Sequence, residues 1–243
     1  MKSFFIFKVL NILFRISLFT FSYLLYLIQL VFIFINLKNF AKNIFNFASY
    51  FCSLSLGISY QINKKLRSEF LREGIHISNH DNPLDIFVAQ YLFQKRTITT
   101  VDQHLKNFLP FFEVSLKNYG HYCFNYKNFK ERKLAYKFLK KICINYKTVL
   151  IYPSGSIYTS IKKRLSKSVA NLSKNNHLKV IAWKISFDDK SDIEYKRNIS
   201  KYILQRFFAK KIILKIDKLD VFNPYDYESH EDLHEALINF YSD

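Results

Sequence analysis

Ile16 to Leu37, "ISLFTFSYLLYLIQLVFIFINL", is an unbroken run without a charged residue. A stretch of roughly 20 apolar residues matches the hydrocarbon thickness of a bilayer, so this segment belongs in lipid. It is too long for the apolar region of a cleaved signal peptide, and no small-residue cleavage site follows it. Lys2, Lys8 and Arg15 flank it on one side and Lys38 and Lys42 on the other, so charge asymmetry does not choose an orientation. A helical hairpin dipping into one leaflet would keep both flanks on the same basic side. A second uncharged stretch, Asn43 to Asn63, is aromatic and more polar, and reads either as a second span or as a segment lying in the interface. Residues 1–63 are therefore expected to form a membrane helix or helical hairpin, and residues 64–243 a separate α/β domain.

The chain of 243 residues is long enough for one α/β core with such an appendage. Its formal charge of +18 would ordinarily point to a polyanionic partner. The sequence is also crowded with Phe, Ile, Lys, Asn and Tyr and has only 4 Gly and 4 Pro, a skew expected of AT-rich coding, so the lysine excess carries little functional weight. Three cysteines, Cys52, Cys123 and Cys143, show neither an even count nor a C-x-x-C spacing. A disulfide framework and a zinc site are not indicated, and a reducing, cytoplasmic setting for the α/β domain is expected.

From Lys64 onward, short strand-like and helix-like patterns alternate. "GIHIS", "TITTV", "HYCFNY", "TVLIY", "KVIAWKISF" and "KIILKIDKL" read as strands. "PLDIFVAQYLF", "HLKNFLPFFEVSLKNYG" and "FKERKLAYKFLKKICINY" read as helices, the second broken and ending in a glycine turn. In the third, Leu134, Phe138 and Ile142 recur at i, i+4, i+8 and predict its buried face. "SHEDLHEALINFY" closes the chain as a helix.

The unusual feature of this domain is "SNHDNPLD", Ser78 to Asp85, a polar cluster set between an apolar strand and an apolar helix. Pro83 suits a first helical position, and Asn82 before it is pushed to extended geometry and can cap the helix. Asp85 then falls near the third helical position, where a carboxylate is favoured by the helix dipole and reaches back toward the preceding loop, as in a capping box. That loop contains His80. Asp85 is better placed than Asp81 to accept one imidazole N–H and leave the other ring nitrogen as an oriented base. A His/Asp pair without a serine or cysteine nucleophile suits the deprotonation of an alcohol as it attacks an activated acyl group. A thioester is the fitting donor, because its leaving thiol has a pKa of about 8.5, far below that of an alcohol. The alternative role for the same residues is structural, Asp85 capping the helix and His80 satisfying a loop.

The cluster resembles the Asn-His-x-x-x-x-Asp motif of the glycerolipid (lysophosphatidic acid) acyltransferase family, and other landmarks follow in that family's order. "LPFFEVSLKNYGHYCFNY", Leu109 to Tyr126, is similar to its Pro-Phe-Phe stretch and the strand after it. "VLIYPSGS", Val149 to Ser156, stands where the family has Phe-Pro-Glu-Gly-Thr-Arg, and "KVIAWKISF" occupies the place of its fourth, apolar block. The resemblance spans roughly residues 70 to 220. It implies a mixed sheet flanked by helices, His80 and Asp85 as the catalytic pair, and acceptor-binding positions at Ser154, Gly155, Ser156 and Lys127. It also implies acyl-CoA or an acyl-carrier protein as donor and a lysophospholipid as acceptor, with no metal and no bound cofactor. This chain departs from the pattern at the acceptor positions: Ser154 and Ile157 replace an acidic residue and an arginine, and Tyr126, followed by Lys127, replaces a second arginine. A catalytically silent homologue that binds membrane surfaces is the other function compatible with these changes.

"HEDLH", His230 to His234, matches the H-E-x-x-H pattern of zinc proteases. Only nine residues follow it, whereas Ser229 and Asp232 make a capping arrangement and Leu233, Leu237 and Phe240 an apolar face, so an ordinary terminal helix is expected. The serine of "PSGSI" lacks the preceding glycine of a hydrolase elbow. The lysines from Lys127 to Lys147 read as the solvated side of an amphipathic helix, although with Lys162–Arg164 they could face headgroups, a CoA phosphate or an acidic carrier protein. No nucleic-acid-binding module is present in the sequence, and an uncharged membrane segment argues against that class.

Overall fold

The computed structural model describes residues 2–62, 64–79, 82, 84–93, 98–103, 111–125, 127–146, 148–152, 165–189 and 199–242. They group into two compact units. The first is drawn from Met1–Ile62, Asn82–Lys95 and Phe187–Lys215, the second from Asn63–Asp81, Arg96–Ser186 and Ile216–Asp243.

In the first unit most of the apolar run lies within a longer helix, α1 (Lys2–Phe34), so Arg15 sits inside the helix and not at its edge. A turn with Asn36 in the left-handed region (φ 63) leads into α2 (Lys38–Ser55), which packs back along α1. The second uncharged stretch is therefore divided: its first part completes α2, and its tail forms strand β1 (Ile58–Gln61). β1 pairs in parallel with the start of β7 (Ile212–Phe222), from Ile58 opposite Ile212 to Gln61 opposite Lys215. Helix α4 (Asp85–Phe93) packs on α2, and a helix that the sequence pattern did not reveal, Ile199–Phe208, packs on α1.

The hairpin buries polar side chains alongside apolar ones such as Tyr26, Leu30, Ile44 and Phe45. Ser22 donates its hydroxyl to the carbonyl of Ala48 across the two helices at 2.7 Å, and Gln29, Ser49 and Ser53 are buried. Small residues of α2, Ala41, Ala48 and Cys52 among them, let the backbones approach. Outward, α1 exposes Phe7, Leu10, Phe14, Leu24, Val31 and Phe34.

The second unit is built on β2 (Gly74–Ser78), which pairs in parallel with β5 (Thr148–Ile151) on one side and β6 (Val180–Asp189) on the other. All five residues of β2 are buried, as expected of a central parallel strand. β7 lies beyond β6. The side-chain pairs Ser186–Asp217 and Asp188–Lys215 step in opposite directions along these two strands, so β7 runs antiparallel and the sheet is mixed. Gly74 is required where β2 begins: its φ is 148°, and a Cβ there would meet the carbonyl oxygen of Lys179 at 2.7 Å. A short parallel pair, β3 (Thr100–Asp102) with β4 (Tyr122–Phe124), completes the strands of this unit among the described residues. Between them α5 (Phe112–Tyr119) ends on Gly120 in the left-handed region, the anticipated glycine turn.

One face of the sheet carries Ile75, Ile77, Val149, Ile151, Val180 and Ala182. It is covered by α6 (Phe129–Tyr146), α7 (Ser168–Asn176) and the terminal helix His230–Ser242. In chain order Ile199–Phe208 is α8 and the terminal helix α9; a short α3 (Lys64–Glu69) precedes β2. The buried stripe of α6 is Ala135, Leu139, Ile142 and Cys143, whereas Leu134, expected in the core, is half exposed. The sequence offered two overlapping apolar stripes, and the one that includes the small Ala135 and Cys143 fits closer to the sheet. The lysines of α6, Lys130, Lys133, Lys137, Lys140 and Lys141, are exposed.

Candidate active site

The polar cluster begins where β2 ends. Asn79 follows the last paired residue of the strand, Ser78 opposite Trp183, and its side-chain amide continues the ladder. Nδ2 donates to the carbonyl of Ile185 at 2.7 Å, and Oδ1 accepts the N–H of Ile185 at 2.8 Å. An asparagine amide is the side chain that can satisfy a backbone donor and acceptor together. Tyr241 of α9 reaches the same strand ends, its hydroxyl lying 3.1 Å from the carbonyls of both Ile77 and Trp183. The residue before His80 is thereby held to backbone within the second unit.

Asn82 and Asp85 belong to the first unit and form the expected capping box. Asn82 Oδ1 accepts the N–H of Leu84 at 2.9 Å, and the carboxylate of Asp85 reaches back to the N–H of Asn82 at 3.3 Å. Tyr202 of α8 donates its hydroxyl to Asn82 Oδ1 at 3.3 Å, a contact with no signal in the sequence because it spans 120 positions. Asp85 and Tyr202 are both buried. The carboxylate is thus fixed at a helix N-terminus.

His80 lies outside the described residues, as do Asp81, Pro83, Tyr126 and the whole of Ser154, Gly155, Ser156 and Ile157. Lys127 is described, exposed on a turn where its N–H donates to Asn125 Oδ1 at 3.0 Å. "HEDLH" opens α9: Ser229 Oγ accepts the N–H of Asp232 at 3.1 Å, Asp232 accepts the N–H of Ser229 at 2.8 Å, and Leu233, Leu237 and Phe240 are buried. That is the ordinary terminal helix expected.

Strand β2, which leads into the cluster, carries a histidine of its own, His76. It is buried on β2 with its ring bonded at both nitrogens. Trp183 Nε1–H donates to Nδ1 at 3.0 Å, and Nε2–H donates to the carbonyl of Arg72 at 2.7 Å. Only the neutral ring can accept at Nδ1 while donating at Nε2. Burial pushes its pKa down to about 4, outweighing the Arg72 carbonyl, which acts the other way. With Phe70 stacked on Trp183 at 3.8 Å, His76 is part of the core, not of a proton-transfer pair.

The mixed α/β fold with this motif at the end of a central strand defines a class. It is similar to the crystal structure of the 1-acyl-sn-glycerophosphate (LPA) acyltransferase PlsC from Thermotoga maritima, with a TM-score of 0.58 over 96% of this chain and 93% of that one at 15% identity. A search of curated proteins found no match. The model of the Acyltransferase family matches residues 58–185, more than half of the chain and inclusive of the whole motif. The chain belongs to that family and is an acyltransferase.

Proposed function

We propose that this acyltransferase moves a fatty acyl chain from a thioester, acyl-CoA or acyl-carrier protein, to the free hydroxyl of a lysophospholipid at a membrane surface. The observation that carries the reading is Asp85, buried and turned back across its own helix start within the Asn-His-x-x-x-x-Asp motif. In this reading Asp85 orients His80, whose free nitrogen takes the proton of the lysolipid hydroxyl as its oxygen attacks the thioester carbonyl. Collapse of the tetrahedral intermediate breaks the C–S bond, and the imidazolium returns the proton to the leaving thiolate. The products are the diacyl lipid and a free thiol, with His80 neutral again. The likeness to PlsC, a 1-acyl-sn-glycerophosphate acyltransferase, supports this acceptor class, and the membrane setting is supported by α1, a helix long and apolar enough to span, with its exposed apolar side chains.

Thioester-dependent acylation of a panel of lysolipids, wild type beside His80→Ala, tests this. Turnover on at least one lysophospholipid, abolished in the variant, is the expected result. A correctly folded wild type without turnover on any acceptor would favour the silent membrane-binding homologue.

A further inference from the structure

Two arginines of the first unit are almost without exposure, Arg15 in α1 at 3% and Arg206 in α8 at 0%. Arg15 Nη1 donates to the carbonyls of Arg206 and Ala209 at 3.0 and 2.8 Å, at and just past the end of α8. Arg206 donates from Nε to the carbonyl of Leu56 at 3.4 Å and from Nη2 to that of Lys210 at 2.8 Å. Gly57 makes the room, since a Cβ there would lie 3.0 Å from the Arg15 guanidinium. Phe19 and Phe207 add an edge-on ring contact at 5.2 Å. Arg15, at the start of the uncharged run within α1, and Leu56, just past the end of α2, are thereby both stapled to the C-terminal end of α8.

Held this way, α8 turns Tyr202, Ile203, Arg206 and Phe207 inward and presents Lys201, Leu204 and Phe208 outward. Leu204 is 60% exposed and Phe208, one turn on, 58%, with exposed Lys210 and Lys211 directly after. A single exposed apolar side chain is ordinary. An apolar pair bracketed by lysines, on a helix pinned to a lipid-type hairpin, has the pattern of an interfacial helix on an anionic surface.

Building on the membrane reading of the hairpin, we propose that α8 is a further membrane-contacting element. Leu204 and Phe208 sit at the headgroup–acyl boundary of an anionic bilayer, Lys210 and Lys211 meet lipid phosphates, and the Arg15–Arg206 staple sets how deep the hairpin enters. Residues 16 to 34 beyond the staple extend about 29 Å at the helical rise, comparable to the hydrocarbon core.

The test uses full-length protein with Cys123→Ser, leaving the two buried cysteines, and one environment-sensitive fluorophore at Leu204→Cys, Phe208→Cys or, in α1, Leu27→Cys. Each is reconstituted in phosphatidylglycerol/phosphatidylcholine vesicles containing lipids with a nitroxide at a shallow or a deep acyl carbon. The labels at 204 and 208 should be quenched by the shallow nitroxide and lose about half or more of the aqueous iodide quenching seen in the detergent-free unfolded chain, as burial of about 5–10 Å requires. In pure phosphatidylcholine that shallow quenching should weaken; unchanged quenching would overturn the lysine–phosphate contact. Labels at 204 and 208 open to iodide while the label at 27 is lipid-quenched would overturn the role of α8 alone. Iodide access at all three positions would overturn the membrane reading of the hairpin with it.

Discussion

At the scale of single residues, the carboxylate that matters should be Asp85 and not its neighbour Asp81. Asp85→Asn should lower kcat by roughly two to four orders of magnitude with KM largely kept, because an amide holds the cap but supports the imidazolium poorly. Asp81→Asn should change kcat far less. Steady-state kinetics on both decide this, and an essential Asp81 with a dispensable Asp85 would sink the proposed pairing. His76 makes a separate, pH-dependent prediction. Its folded pKa of about 4 lies below the value of 6.5 expected unfolded. Above pH 6.5 neither state is protonated and the stability is fully present. Below it the unfolded chain alone takes up the proton, so stability falls at about 1.4 kcal/mol per pH unit until pH approaches 4. Denaturation of the wild type at pH 7 and pH 5 should differ by about 2 kcal/mol from this group. In His76→Leu that part of the slope should vanish, while the protein loses about 1–3 kcal/mol at pH 7 for the unsatisfied Trp183 N–H.

At the scale of elements, the membrane reading of the hairpin predicts how the protein is extracted. Ser22 bonds to the Ala48 carbonyl between α1 and α2, and α1 turns a row of large apolar side chains outward, a surface that hydrocarbon accommodates better than water. The full-length chain should stay in the membrane fraction through high-salt and carbonate washes; release by either would leave only a basic peripheral surface. Element by element, the strands from β2 to β7, the helices α4, α6 and α9, and the glycine turn after α5 were legible from apolar periodicity and turn chemistry. Helices α7 and α8 were not. Asparagine- and serine-rich α7 has only Val169, Ala170 and Leu172 as apolar burial, and α8 mixes lysine, glutamine and arginine into its turns, so neither shows a clean stripe. β1 was hidden at the end of an apolar stretch that continued a helix.

At the scale of the whole molecule, the open question is what the acceptor headgroup meets. The resemblance implies an arginine for a phosphomonoester where this chain has Ile157, and a lost charge-assisted hydrogen bond costs about 1.5 to 3 kcal/mol, or about 10- to 100-fold in affinity. A lysolipid with a larger or less charged headgroup should therefore be used at least as well as lysophosphatidic acid, and Ile157→Arg should restore preference for the phosphomonoester. Competition assays between the two acceptors measure this; strict preference for lysophosphatidic acid in the wild type, insensitive to Ser154 and Ile157, would place the phosphate grip elsewhere. The capping box of Asn82 and Asp85, the apolar helix and the acyltransferase motif were determined by the sequence itself, because each rests on contacts within a few positions of the chain. Tertiary structure alone decided that Asn79 extends the ladder to Ile185, that Trp183 keeps His76 neutral, that Tyr202 holds the cap, and that Arg15 closes the end of α8. Those partners lie 106 to 194 positions apart, and only folding brings a donor in one segment to an acceptor in another.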